Sequence, residues 1–414
     1  MRKNFLIILP AFISFVFSCN GKQNDGDIAS AAETQNYTQN AAENINQPAH
    51  SFESGSEKAL KEHNASSEDI LFAEKFSVTI EDGYTRLIVD APWQNSGKHR
   101  FTYILSSESA LVPDSLKQYE RITTPVEHAV IMSTTFYPFI DTLGHKKSIN
   151  GISQVENYYS SWIIDAVENG DIRDVGFDQV LNYEVLMELQ PDVVFMFGVQ
   201  SGITKNIAKL NELGIKVVMV ADYLEPHPLG RTEWLKFFAC FYDELPLAKA
   251  IFSGITDNYY TLKKSVAKFS KHPKIMIGLP WKDTWHIPES ESFAAKLIKD
   301  AGGNYIWNDL EGTEASQVAI EQVVFKSLAA DIWINIGVAE SKEAILMHDS
   351  RFKTLPAFEN GELFNNNKRI GELGGNDYWE SGPLRPDRVL NDLVKIFHSI
   401  NPEEEGLYYY KRLN

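Results

Sequence analysis

The sequence predicts an α/β protein: two doubly wound α/β lobes joined by a long backbone helix, with a small N-terminal β extension. Three observations predict it. Short β-branched apolar runs alternate with stretches of helical apolar spacing, the mark of parallel βαβ units. A mid-chain region from Arg231 to about Phe269 keeps helical spacing, with Pro246 as its one internal proline. A second strand–helix series then begins at Lys274.

The elements follow in order. Arg2 and Lys3 precede an almost unbroken apolar run from Phe5 to Phe17, shorter than the roughly 18 residues that cross a bilayer. It ends in Val16-Phe17-Ser18-Cys19, a cysteine after a small residue at the close of the apolar run. Residues 1–19 are therefore expected to be a lipoprotein signal peptide, with Cys19 lipidated; a plain secretory signal containing a cysteine is the alternative. The protein is expected to be exported and membrane-anchored, facing the periplasm or the cell exterior. Cys240 is the second of two cysteines. Its apolar surroundings, Trp234 to Tyr242, predict a buried core thiol. Residues 20–68, rich in Asn, Gln, Ala, Ser and Glu, cannot bury enough surface to offset their ordering entropy and are expected to be a disordered tether.

A small β extension is expected over 70–124, where two alternating runs flank Asp82-Gly83, a hairpin signal, and Phe101-Thr-Tyr-Ile-Leu105 adds a third strand. An N-terminal α/β lobe follows over 125–228, with strands at Ala129–Ser133, Asp192–Phe197 and Lys216–Val220 and a helix through Leu143. The linking helix region is 229–270, the C-terminal α/β lobe 271–400, with strands at Lys274–Leu279 and Asp331–Ile336, and the tail 401–414. The lobes echo each other. Asn182-Tyr-Glu184 and Ala319-Ile-Glu321 each open a helix that a short turn and an aspartate connect to a buried strand.

Hydrophobic residues at 43% and charged residues at 23% describe a globular chain, and 414 residues suit two lobes plus attachments. The net charge of −17 excludes a polyanionic partner such as nucleic acid. No Gly-x-Gly-x-x-Gly after a strand, phosphate loop or Gly-x-Ser-x-Gly elbow is present. Ten scattered histidines lack metal-ligand spacing, so neither a bound metal nor a cofactor is expected.

Residues 125–400 resemble the helical-backbone periplasmic binding proteins that serve ABC importers of ferric siderophores, haem and cobalamin. The resemblance rests on an ordered set: Ser133-Thr-Thr-Phe-Tyr137, Asn182 to Phe195, Leu210-Asn-Glu-Leu-Gly-Ile-Lys-Val-Val218, the linking region, Asp300-Ala-Gly-Gly-Asn-Tyr305 and the Glu321 helix. It implies a monomeric binding protein, not an enzyme, that captures a metal chelate and delivers it to an ABC permease. It also implies that Glu184 and Glu321 dock on permease arginines, although each glutamate can equally complement its helix dipole.

Ligands of doubly wound sheets sit beyond the carboxyl ends of strands. The expected cleft residues are therefore Thr134, Thr135, Phe136 and Tyr137; Tyr158, Tyr159 and Trp162; Phe197 to Gln200; and Pro280, Trp281 and Trp285. The loop Lys368 to Glu380, which matches the region covering the ligand in the cobalamin-binding members, adds Arg369, Tyr378 and Trp379. Aromatic rings offer broad faces to a chelate and arginine offers a fork to its anion. Two other classes compete, an exported α/β enzyme acting on a small molecule or glycan and an adhesive surface lipoprotein.

Overall fold

The computed structural model describes residues 66–177, 180–198, 203–281, 284–400 and 406–414. The expected signal peptide with Cys19, the expected tether up to residue 65, and Val199 and Gln200 lie outside the described residues. No helix among the described residues is long and apolar enough to cross a membrane.

The extension is a five-stranded sheet of β1 (Ser66–Ser67), β2 (Phe76–Glu81), β3 (Tyr84–Asp90), β4 (Arg100–Ser106) and β5 (Glu120–Thr123), in that order. The first four pair antiparallel and β5 runs parallel to β4. Asp82-Gly83 turns the β2–β3 hairpin, and Gly83 takes the left-handed φ of +85° that such a turn requires. Alternation turns Phe76, Val78, Leu87, Val89, Tyr103 and Leu105 into the same core as the lobes.

Lobe one is a parallel sheet of β6 (Ala129–Ile131), β7 (Ile149–Ile152), β8 (Arg173–Asp174), β9 (Val193–Met196) and β10 (Val217–Met219), in the order β10-β9-β6-β7-β8. The chain leaves β6 in one direction and returns to its other side at β9, so β6 and β9 flank the switch point where such sheets bind ligands. Its helices are α1 (Phe136–Thr142), α2 (Ser161–Glu168), α3 (Tyr183–Leu189) and α4 (Ile203–Glu212).

The linking region is helical and divided in two. Helix α5 (Pro228–Ala239) is buried on nearly every side, and α6 (Leu245–Ser265) is the long one at 21 residues. Between them Asp243 turns with φ +59°. Pro246 falls in the first turn of α6, where a missing N–H costs no hydrogen bond. Cys240 is a buried free thiol whose Sγ donates to the Lys236 carbonyl at 3.2 Å, and burial pushes its pKa up to about 12.

Lobe two repeats the plan with β11 (Lys274–Ile277), β13 (Asn304–Tyr305), β15 (Ile332–Ile334), β16 (Leu363–Asn365) and β17 (Lys411–Arg412), in the order β13-β11-β15-β16-β17. All are parallel except β17, which the chain's tail adds antiparallel to β16. Strands β12 (Thr284–Pro288) and β14 (Ala315–Ala319) form a separate antiparallel pair. The helices are α7 (Phe293–Asp300), α8 (Ile320–Ser327), α9 (Lys342–His348), α10 (Pro356–Glu359), α11 (Asp377–Glu380) and α12 (Pro386–Phe397).

Candidate ligand-binding site

On lobe one the switch point carries Thr134 and Thr135 after β6 and Phe197 and Gly198 after β9, all but Gly198 half-buried. Ser133 Oγ and Thr135 Oγ1 lie 3.0 Å apart, and the Thr135 hydroxyl bonds the buried Asp222 carboxylate. Tyr223 donates its hydroxyl to the Gly198 carbonyl at 2.5 Å, and its ring stands edge-on 6.2 Å from Phe197. Asp222 and Tyr223 follow β10, so three consecutive strand ends meet here.

Arg231, on the second turn of α5, is the cation at this junction. Its Nε donates to the Glu225 carbonyl at 3.1 Å and one Nη to the Tyr223 carbonyl at 2.8 Å, while the guanidinium lies over the Phe293 ring at 4.1 Å. Burial pulls its pKa down, and Asp222 foremost pulls it back up; Asp222 is in turn raised by burial and lowered by Arg231. A small depression of about 10 Å³, barely room for one water, is lined by Arg231, Phe293, Tyr378, Trp379 and Pro383. Sequence reasoning missed Arg231. Arg231 shares α5 with Glu233 and Lys236, so nothing in the sequence set it apart from them.

The loop from Arg369 to Glu380 joins the lobes. Ile370 and Asn376 bridge to make it a narrow hairpin. A Cβ on Gly375 would stand 2.2 Å from the Tyr158 backbone carbon and oxygen, and one on Gly371 would be 3.0 Å from Tyr159 Cα, so the loop lies directly against the lobe-one chain. The Tyr159 N–H donates to Glu380 Oε2 at 2.7 Å, and the Ser160 N–H bonds the same carboxyl group. Ser160 caps α2, so Glu380 sits at that helix's positive end. Burial nonetheless raises the Glu380 pKa to about 8, with Asp377 and Asp141 adding to the rise. Arg369 is held by Asp377 at 2.5 Å and stacks between Tyr159 and Tyr408, at 4.8 and 4.4 Å from their centroids.

The remaining expected residues divide by burial. Trp281, 52% exposed, and Trp379, 50% exposed, present large apolar faces. Tyr159 is half-buried. Tyr378 is nearly buried, its ring edge-on to Trp379 at 4.8 Å, yet it lines the small depression. Tyr137 is mostly buried and stacks on Trp162 at 6.1 Å.

Three expectations need correction. Trp285 was expected to line the cleft but lies in β12, wholly buried; its Nε1 donates to the Ile277 carbonyl at 3.2 Å and its ring packs 5.7 Å from Phe352. Phe136 is wholly buried against Phe238 at 5.5 Å. Tyr158 is wholly buried too, and its backbone, not its ring, faces the loop. These three side chains have no surface to offer a ligand, because the apolar gain from core packing exceeds what a rim position returns.

Glu184 and Glu321 are both exposed in the first turns of α3 and α8. Each helix enters its strand, β9 or β15, through a short turn, which places each first turn toward the carboxyl end of its sheet. Each glutamate has exposed apolar neighbours, Val180 and Met187 in lobe one and Phe325 and Leu328 in lobe two. Glu321 is paired with Arg351 at 3.3 Å.

Two largely parallel sheets joined by a helical region, with the Arg369–Glu380 loop packed on lobe one, are the architecture of a two-lobed α/β binding protein. The family assignment agrees: residues 139–369 match the periplasmic binding protein family, more than half of the chain. The chain belongs to that family. It is 30% identical over 310 residues to an uncharacterized lipoprotein of Methanocaldococcus jannaschii, covering 72% of each chain. Its fold is similar to that of a periplasmic haem-binding protein from Pseudomonas aeruginosa, with a TM-score of 0.52 at 14% identity over 70% of this chain and 98% of that one. A possible iron-binding periplasmic solute-binding protein from Staphylococcus epidermidis superposes with a TM-score of 0.51 at 18% identity, over 66% of this chain and 99% of that one.

Proposed function

We propose that this chain captures a metal chelate (a ferric siderophore, corrinoid or haem) in the seam between its lobes and delivers it to an ABC permease. The observation that carries this reading is the arrangement at the paired switch points. Tyr223 and Trp379 keep part of their rings exposed beside Arg231, Phe197 stands edge-on to Tyr223, and Tyr159 and Trp281 also keep ring surface exposed on their loops. Such a lining gives a large ring-bearing ligand broad contact, and a guanidinium suits an anionic group on its periphery. The haem-binding and possible iron-binding neighbours support the same ligand class.

In this reading 125–228 and 271–400 are the two jaws and 229–270 their frame. Glu184 and Glu321, each with an apolar collar, are the docking points for permease cations; charge complementarity of this kind sets orientation and encounter rate. A relative named as a lipoprotein supports lipid anchorage through Cys19 in the cell envelope.

The test is the visible absorption spectrum of the full-length protein after incubation with haemin, cyanocobalamin and a ferric trihydroxamate, followed by gel filtration. Co-elution of one chromophore at a 1:1 ratio is the expected result. Elution free of all three would end the proposal.

A further inference from the structure

The β extension lies ahead of the matched family segment, yet it is built into the frame. Two wholly buried carboxylates on and beside α5 hold the segment that leads into β2. Glu233 accepts the N–H groups of Leu71, Phe72 and Ala73 at 2.7–3.0 Å, and Glu225 accepts those of Glu74 and Lys75 at 2.9–3.0 Å. Lys236 neutralises Glu233 at 2.9 Å. At the opposite side of the sheet, the Tyr103 hydroxyl accepts the Met219 N–H of edge strand β10 at 2.9 Å. Charge-assisted bonds to five successive amides leave this sheet little freedom to move against α5.

What this anchoring positions is the loop between β3 and β4. The loop closes on itself through Ala91 N–H to the His99 carbonyl at 2.8 Å and Ser96 N–H to the Trp93 carbonyl at 3.1 Å. Its tip reaches the lobe-one switch point. Trp93 forms a parallel bridge with Gly198, and a Cβ on Gly198 would stand 3.1 Å from Trp93 Cβ and Cε3, so the Trp93 side chain lies directly against the strand end. The Gln94 N–H bonds the Tyr223 hydroxyl, which itself donates to Gly198. Glu314 of lobe two acts on the same hydroxyl, which places Tyr223 within electrostatic reach of the other jaw. Trp93 and Gln94 are both half-buried and keep surface at this edge.

We propose that the β extension supplies a third wall of the ligand cleft, with Trp93 and Gln94 as specificity-determining residues that touch the bound chelate beside Phe197 and Tyr223. The inference rests on the proposed chelate-binding role. The indole adds a rigid apolar face on one side of the opening, and Gln94 adds a donor and an acceptor beside it. A wall held by buried carboxylates does not yield to a bulkier ligand. Chelates are therefore selected by the shape of the face they turn to the indole.

The test uses the full chain, its Trp93→Ala, Trp93→Phe and Gln94→Ala variants, and haemin, cyanocobalamin and a ferric trihydroxamate as probes. Trp93→Ala is expected to weaken the preferred probe about tenfold and to change the ratio of affinities among the probes; Trp93→Phe restores most of the loss. Difference emission between wild type and Trp93→Phe is expected to be quenched on loading, which a remote structural role would not produce. Wild-type binding with Trp93→Ala and Gln94→Ala both within twofold, and no quenching of the Trp93 emission, overturns the wall while leaving the chelate-binding role intact. If Trp93→Ala does not fold, the Gln94→Ala affinity and the difference emission decide. A wild-type chain that binds none of the probes removes the chelate role and the wall together.

Discussion

Glu380 is strongly perturbed by its place between the lobes, and its behaviour can be read as a pH profile of stability. Its pKa is raised from an ordinary 4.5 to about 8, chiefly because burial strips water from the carboxylate. The unfolded chain releases this proton near pH 4.5, whereas the folded chain keeps it to about pH 8. The stabilisation is therefore fully present below pH 4.5 and is lost as pH rises toward 8. With about 1.4 kcal/mol per pH unit, the loss between pH 5 and pH 8 is on the order of 3–4 kcal/mol. Glu380→Gln keeps an oxygen to accept the Tyr159 N–H and cannot ionise. Urea unfolding of both proteins at pH 5 and pH 8 gives the double difference, in which other titrating groups cancel. Wild type should lose on the order of 3–4 kcal/mol more than the variant over this range. Profiles that coincide within about 0.5 kcal/mol would refute the buried, proton-holding state of this group.

Other outcomes follow from the same geometry. Gly375→Ala drives a methyl into the Tyr158 backbone, and overpacking of this kind should lower unfolding free energy by about 1–3 kcal/mol in urea titrations. Arg231→Gln removes the charge facing the small depression; an anionic probe such as haemin should bind at least tenfold more weakly in absorption titrations, and unchanged binding would remove Arg231 from the site. Glu184→Ala with Glu321→Ala should spare chelate affinity and abolish transport in permease vesicles; lost affinity would contradict docking at these points. Small-angle scattering of free and loaded protein should superimpose, since the seam is fixed by backbone approach as well as by side chains; a marked compaction on loading would show a hinge.

The fold was legible where a pattern is local. The Asp82-Gly83 hairpin, the strands at Ala129, Val193, Val217, Lys274 and Ile332, and the buried Cys240 all follow from periodicity and turn chemistry over a few residues. The division of the linking region was not, because the break at Asp243 lies inside an apolar run that continues on both sides. Nor was β17: its partner in β16 is far away in sequence, and the preceding Tyr408, Tyr409 and Tyr410 are placed by their N–H groups reaching buried Asp392. Trp285 misled for the opposite reason. Nearby Pro280 and Asp283 signal a loop, and only the pairing of β12 with β14 turns that stretch into a strand whose indole faces inward. Glu225 and Glu233 look like solvated helix charges in the sequence. Their role became visible only with the extension packed on them.

These long-range contacts share one physical consequence. A cleft whose jaws are fixed by Gly375 and Gly371, whose frame helix is buried on nearly all sides, and whose extension is bound by two carboxylates cannot adapt by closing. Little binding free energy is then spent on ordering the protein, and affinity is set by how well a ligand fits a shape that already exists. Under the proposed reading a few exposed rings at the strand ends decide what is carried, and a half-buried indole on an extension ahead of the matched segment weighs on that choice as the lobes do. Selectivity within this family can then change without touching either lobe, by altering the loop that an appended sheet holds over a strand end.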